Sequence, residues 1–185
     1  MPTMSTQLTD DLVLRPVAED DSAALARAYV RNREHIAPYE PIRPEAFYTT
    51  RWHADRYKVL AEDRAAGRIE RWLLVDADGE VFGSVTMSGI EYGPFLNARL
   101  GYWTDGSLGG RGIATRAVGA VCDHARDSLR LHRLEAGTLV DNVRSQRVLL
   151  KCGFEQIGMS PKHLNIWGEW RDHNLYHRIL HTEPI

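Results

Sequence analysis

Three glycines, Gly109, Gly110 and Gly112, lie between Leu100-Gly101-Tyr102-Trp103 and Ile113-Ala114-Thr115, with Arg111 among them. A strand that passes through such a turn into a helix is an anion-binding construction. Without Cβ atoms a ligand approaches the main chain closely, and successive N–H groups point at one spot. The following helix adds its unpaired N-terminal donors, equivalent to roughly half a positive charge, which suits a phosphate. A nucleotide-hydrolysing loop would end in Gly-Lys-Ser/Thr, whereas these glycines lead into Ile113-Ala114-Thr115. A dinucleotide fingerprint would place a third small residue where Thr115 stands. Phosphoryl and hydride transfer are both disfavoured.

A second reactive block follows one helix and one strand later, as Asp141-Asn142-Val143-Arg144-Ser145 and then Lys151-Cys152-Gly153-Phe154. The Asn142 amide, next to Asp141, suits a turn or helix cap. Ser145, at a helix start, suits an N-cap. Two carboxylates qualify as general bases: Glu91 at the end of one strand, the preferred candidate, and Glu135 in another. A surface ion pair is the alternative for both. His173 and His177 share one face of a strand, but no third ligand stands at metal-binding spacing, so no metal is expected. Trp52, Tyr57, Trp167 and Trp170 suit either an acceptor groove or core packing.

The elements that must position these groups are legible from periodicity. Leu12 to Arg15 reads as a strand, and Asp20 or Asp21 can cap a helix that carries Leu25, Ala28 and Tyr29 on one face. Pro38, Pro41 and Pro44 interrupt the chain before a second helical pattern from about Glu45 to Ala66, ended by Gly67. Ile69 to Val75 and Val81 to Ile90 read as a hairpin about Asp76-Ala77-Asp78-Gly79, and Leu96 to Trp103 as the strand entering the glycine turn. A helix from Arg111 to about Leu129 bears Ala114, Val118, Val121 and Ala125 as an apolar stripe. Leu134 to Val140 is a strand, and Ser145 to Cys152 a short helix closed by Gly153. Phe154 to Gly158 and Leu164 to Tyr176 supply final strands around Trp167-Gly168-Glu169-Trp170. This order predicts an α+β domain with a mixed sheet and helices on both faces.

The 185 residues, 43% of them hydrophobic, suffice for one core. A formal charge of −2 gives no reason to expect a nucleic-acid binder. Met1 to Gln7 lacks a secretory pattern, and no run of about eighteen apolar residues occurs, so a soluble cytoplasmic protein away from membranes is expected. Cys122 and Cys152 read as core thiols.

Taken together, Gly109 to Ala114 resembles the Q/R-x-x-G-x-G/A turn of the GNAT acyltransferase superfamily, with Gly109 departing from its first position. The block from Asn142 to Phe154 resembles that superfamily's N-x-x-S/A and K-x-G-F segment, and Leu164 to His173 is similar to the end of the RimJ/RimL branch, which acetylates ribosomal-protein N-terminal amines. The resemblance implies a single GNAT domain over residues 8–181, in which the strands Leu96 to Trp103 and Arg133 to Val140 splay apart to admit acetyl-CoA. It further implies main-chain contacts to the pantetheine arm from Leu100, Gly101, Tyr102 and Trp103. Gly109, Gly110, Arg111, Gly112, Ile113, Ala114 and Thr115 would hold the pyrophosphate, and Asn142 would bond the pantetheine amides. Many members place a tyrosine acid seven residues after the asparagine, where this chain has Leu149; RimL-like members use the serine, here Ser145. A carboxylate common just before the Gly-Tyr-Trp strand is Arg99 here. The reaction implied is direct attack of a neutral amine on the acetyl thioester. The expected acceptor is a protein N-terminal α-amine, with a ribosomal protein as one partner and a homodimer as one assembly. A small-molecule amine and a silent CoA-binding protein are the alternatives.

Overall fold

The computed structural model describes residues 4–182. A single eight-stranded sheet runs through it: β1 (Thr6–Thr9), β2 (Leu12–Pro16), β3 (Ile69–Val75), β4 (Val81–Glu91), β5 (Asn97–Thr104), β6 (Arg133–Leu139), β7 (Glu155–Ile166) and β8 (Glu169–Ile179). Their spatial order is β1-β2-β3-β4-β5-β6-β8-β7, and β5–β6 alone is parallel among the pairs described. The expected mixed, mostly antiparallel sheet is therefore present. The Asp76–Gly79 turn joins β3 to β4, with the Asp76 carboxylate accepting from the Asp78 and Glu80 N–H groups at 3.0 and 2.9 Å.

Two helical layers cover the sheet. On one face lie α1 (Ser22–Arg31), the short α2 (Arg33–Ile36) and α3 (Thr50–Ala65), and on the other α4 (Ile113–Asp127) and α5 (Val143–Lys151). The first layer buries Leu25, Ala28, Tyr29, Phe47, Leu73 and Val81. The second buries Leu100, Ile113, Val118, Val121, Leu134 and Leu149. The stripe of α4 runs through Ile113, Ala117, Val118, Val121, Cys122 and Ala125. Ala114, in the first turn of the helix, which begins at Ile113 and not at Arg111, is only half-buried. Each fully buried branched side chain in this stripe contributes about 2 kcal/mol. Cys122 and Cys152 are buried free thiols, and burial pushes Cys122 up to about 12.

Three elements differ from their sequence readings. The sheet opens with β1, whose single buried residue, Leu8, gives too little alternation to register as a strand. The helical pattern from Glu45 is broken: Glu45–Tyr48 forms a 3-10 turn, Thr49 is extended, and its hydroxyl accepts from the Trp52 N–H at 3.3 Å as the cap of α3. The last strands are longer than expected, with β7 continuous across a register shift between Ser160 and Leu164, and with Trp167-Gly168 turning the chain into β8.

α3 brings one titratable group into the core. His53 is 5% exposed and stacks on Tyr29, with ring centroids 5.4 Å apart. Burial, and then the field of Arg71, lower its imidazole to about 4. Between pH 6.5 and about 4 the unfolded chain therefore binds a proton that the native ring refuses, and stability falls as pH drops through that window. His53→Phe is expected to flatten this part of the curve of denaturation midpoint against pH.

Candidate functional site: a split between two parallel strands

β5 and β6 pair only at their beginnings, Asn97 with Arg133, Ala98 with Leu134 and Arg99 with Glu135. Beyond that point β5 pairs with β4 alone and β6 with β8 alone. The β6-facing edge of Leu100 to Thr104 thus has no strand partner, and the sheet opens into a V with Arg99 and Glu135 at its fork. A Cβ added at Gly101 would meet nothing within 4 Å, so this part of the wall looks into open space. An extended ligand can enter here as an added strand.

The glycine turn above the opening leaves its main chain uncovered. Gly110 and Gly112 have φ of +75° and +73°, and a Cβ at either would meet no protein atom within 4 Å. This is a cradle whose floor is main chain. Gly112 is the N-cap of α4 and provides no side-chain cap, leaving the first N–H groups, of Ile113, Ala114 and Thr115, without acceptors earlier in the helix. Gly109 differs from its neighbours, with a φ of −54° that any residue adopts. The departure from the Q/R pattern at this position is thus not a backbone requirement.

Immediately before the turn, Asp105 anchors it to the opposite layer. Its carboxylate accepts from Asn32 Nδ2 at 2.7 Å, from Arg31 Nε at 2.8 Å, and from the Ser107 N–H and hydroxyl at 2.9 and 2.7 Å. Asn32 Oδ1 in return accepts from the Gly106 N–H at 3.0 Å. Burial raises the carboxyl pKa, but these hydrogen bonds outweigh it and hold the group well below the usual carboxylate range. The associated stabilisation is complete above the ordinary carboxylate pKa and is lost as pH falls toward the depressed native value. Asp105→Ala removes the acceptor shared by Asn32 Nδ2, Arg31 Nε and Ser107 and is expected to cost about 3 kcal/mol in denaturant unfolding at neutral pH.

On the far wall, Asn142 is the N-cap of α5: its Oδ1 accepts from the Ser145 N–H at 3.1 Å. The cap reading of Asn142 is thus correct, and its amide nitrogen takes no part in that bond. Ser145 is not the cap but the third residue of the helix. Its Oγ stands 2.8 Å from the Tyr102 hydroxyl, which lies 3.1 Å from the Ser145 carbonyl oxygen. Leu149 is wholly buried in the core.

The two carboxylates occupy different places. Glu135 is at the fork and paired with Arg133 at 2.8 Å. Glu91 is exposed and opposite Asn97, five residues before Tyr102 on β5, about 17 Å along a strand. The structure does not bring Glu91 to Ser145. Trp52 and Tyr57 pack against the α1–α3 core, whereas Trp167 and Trp170 are exposed on the β7–β8 hairpin. The Trp167 N–H donates to the Glu40 carbonyl at 3.1 Å, joining this hairpin to the segment after α2. Arg171 pairs with Asp141 at 2.9 Å, and His173 is buried with Nδ1 3.0 Å from the Arg171 carbonyl. Among the described residues no group of three metal-ligating side chains converges. A recess of about 470 Å³ between α1 and the Glu45–Tyr48 turn contains none of the residues of the split.

A sheet whose parallel pair parts midway, with α4 starting at the glycine turn on one wall and α5 on the other, is a frame shared with a solved acetyltransferase. Residues 11–155 match the acetyltransferase (GNAT) domain, and the chain belongs to that family. It is an acetyl-CoA-dependent N-acetyltransferase. It is 34% identical over 169 residues to the [ribosomal protein uS5]-alanine N-acetyltransferase of Escherichia coli, covering 90% of this chain and 87% of the relative. It is 30% identical to the probable N-acetyltransferase YjcK of Bacillus subtilis, covering 89% and 91%. The crystal structure of the ribosomal-protein-S5-alanine acetyltransferase from Vibrio fischeri superposes with a TM-score of 0.91 at 32% identity, covering 95% and 96%. Mycobacterium smegmatis RimJ in complex with CoA-disulfide gives 0.86 at 31% identity, covering 91% and 81%.

Proposed function

We propose that this enzyme acetylates the α-amine of a protein N-terminus, with a ribosomal protein as the expected class of acceptor. The supporting observation is the near full-length similarity, at over 30% identity, to enzymes named for the alanine of ribosomal protein S5. In this reading Leu100 to Trp103 offer main-chain groups to the pantetheine arm of acetyl-CoA, Gly109 to Thr115 hold its pyrophosphate, and the Asn142 amide nitrogen bonds a pantetheine carbonyl. An α-amine with a pKa of about 8 is partly neutral near pH 7, so proximity in the split carries most of the attack. Nitrogen bonds to the acetyl carbon, the C–S bond breaks with its electron pair on sulfur, and the amine sheds a proton to water. Ser145 donates to the departing thiolate from the first turn of α5, where the helix dipole favours negative charge. Glu135, held by Arg133, and Glu91, distant from Ser145, need not act as strong bases. A ribosomal acceptor would place the enzyme in the cytoplasm.

The test is acetyl transfer to matched peptides that begin with alanine or serine and contain one lysine, with the α-amine free or blocked. Acetylation of the free α-amine alone, located by tandem mass spectrometry, supports the reading. Modification of lysine, or of small amines such as spermidine in preference to peptides, overturns it.

A further inference from the structure

The family resemblance implies only main-chain contacts from Tyr102, yet its side chain makes a specific connection. Beyond the Arg99–Glu135 pair no strand hydrogen bond joins the two walls of the split. The Tyr102 phenol crosses from β5 to the first turn of α5 and meets Ser145 twice, at Oγ and at the carbonyl oxygen. Its ring packs against the α4–α5 core beside Leu100, and burial pushes the phenol pKa upward despite the bond to Ser145, so it stays protonated at neutral pH. The Ser145 N–H is already satisfied by Asn142. Ser145 is thus fixed from two sides, with its backbone held by a cap and its hydroxyl by a phenol.

We infer that Tyr102 is a positioning residue for acetyl transfer: its hydroxyl donates to Ser145 Oγ, so that the serine's own proton points into the split toward the leaving sulfur. The inference rests on the proposed role of Ser145 as the group that donates to that sulfur. The phenol carries one proton and has two acceptors on Ser145 within reach, the carbonyl oxygen at 3.1 Å and the nearer Oγ at 2.8 Å, which in this inference takes that proton. If Tyr102 donates to Oγ, the serine proton is free for another acceptor; without the phenol, that proton can turn to a nearby carbonyl. The donated bond also disperses charge that builds on Oγ as the serine proton shifts toward sulfur, which is the cooperative gain of a hydrogen-bonded chain. No phenol reaches this point from α5 itself, since Leu149 is wholly buried on that helix. β5 supplies one across the split, from a residue 43 positions earlier.

Tyr102→Phe keeps the ring and removes only the hydroxyl. Under conditions where chemistry limits turnover, it is expected to lower kcat about tenfold while calorimetric affinity for CoA changes less than twofold. In a double-mutant cycle with Ser145→Ala, the Phe substitution is expected to have less than a twofold further effect on kcat, because the hydroxyl it serves is gone. A purely structural role would instead reduce kcat by the same factor in both backgrounds, or weaken CoA binding and lower the thermal midpoint together. Either result overturns the inference. If Ser145→Ala lowers kcat and Tyr102→Phe does not, the positioning role fails and the serine role survives. If Ser145→Ala itself leaves kcat unchanged, the underlying role of Ser145 fails, and the inference with it.

Discussion

Gly112→Glu is expected to weaken acetyl-CoA binding roughly a thousandfold while the domain remains folded. A Cβ at Gly112 would meet no protein atom within 4 Å, so a side chain can leave the turn there without displacing the fold at its first carbon. The positive φ costs about 1–2 kcal/mol for a residue with a Cβ, which a domain of this size tolerates. What the carboxylate does meet is the pyrophosphate expected in the cradle. Two like charges about 4 Å apart in a partly screened site repel by about 4 kcal/mol, which corresponds to roughly a thousandfold in affinity. Gly112→Ala separates the two effects, since it carries the strain without the charge, and is expected to bind nearly as wild type. Calorimetric titration with CoA checks both; full affinity in the glutamate variant would remove the pyrophosphate from this turn.

Ser145→Ala is expected to lower kcat about a hundredfold with little change in CoA affinity, the usual scale for removing a positioned proton donor. Alanine is the better helix former, and the N–H that Asn142 caps remains, so α5 keeps its first turn. A fall in kcat and kcat/KM together would mark an interaction made in the transition state and not in binding. Unchanged kcat in single-turnover experiments would contradict the acid role.

How much of this arrangement the chain discloses follows from the range of the interactions. The glycine turn, the apolar stripe of α4 and the Asp76–Gly79 hairpin are local, and each is legible because its residues lie within a few positions of one another. Asn142 as a cap is equally local, since its partner is Ser145. The start of α3 is not legible in the sequence, because Glu45 to Tyr48 is helix-compatible in composition and only the Thr49 hydroxyl bond to Trp52 shows where the helix begins. The ties that organise the site are long-range. Asn32 reaches Asp105 across 73 positions and Tyr102 reaches Ser145 across 43, with no periodicity linking either pair. A tyrosine in a strand and an asparagine after a helix are ordinary until the sheet brings their partners to them. Glu91 shows the converse: its place at a strand end makes it a candidate base, and only strand register shows that it stands opposite Asn97, at the closed end of the split.

Whether the gap between β5 and β6 seats acetyl-CoA is tested most directly by amide chemical shifts of the isotopically labelled protein titrated with CoA. The amides of Leu100 to Trp103 and of Gly110 to Thr115 are expected to move most, because they line the unpaired strand edge and the cradle. Shifts confined to the recess between α1 and the Glu45–Tyr48 turn, with the β5 edge and the glycine turn unmoved, would contradict the account.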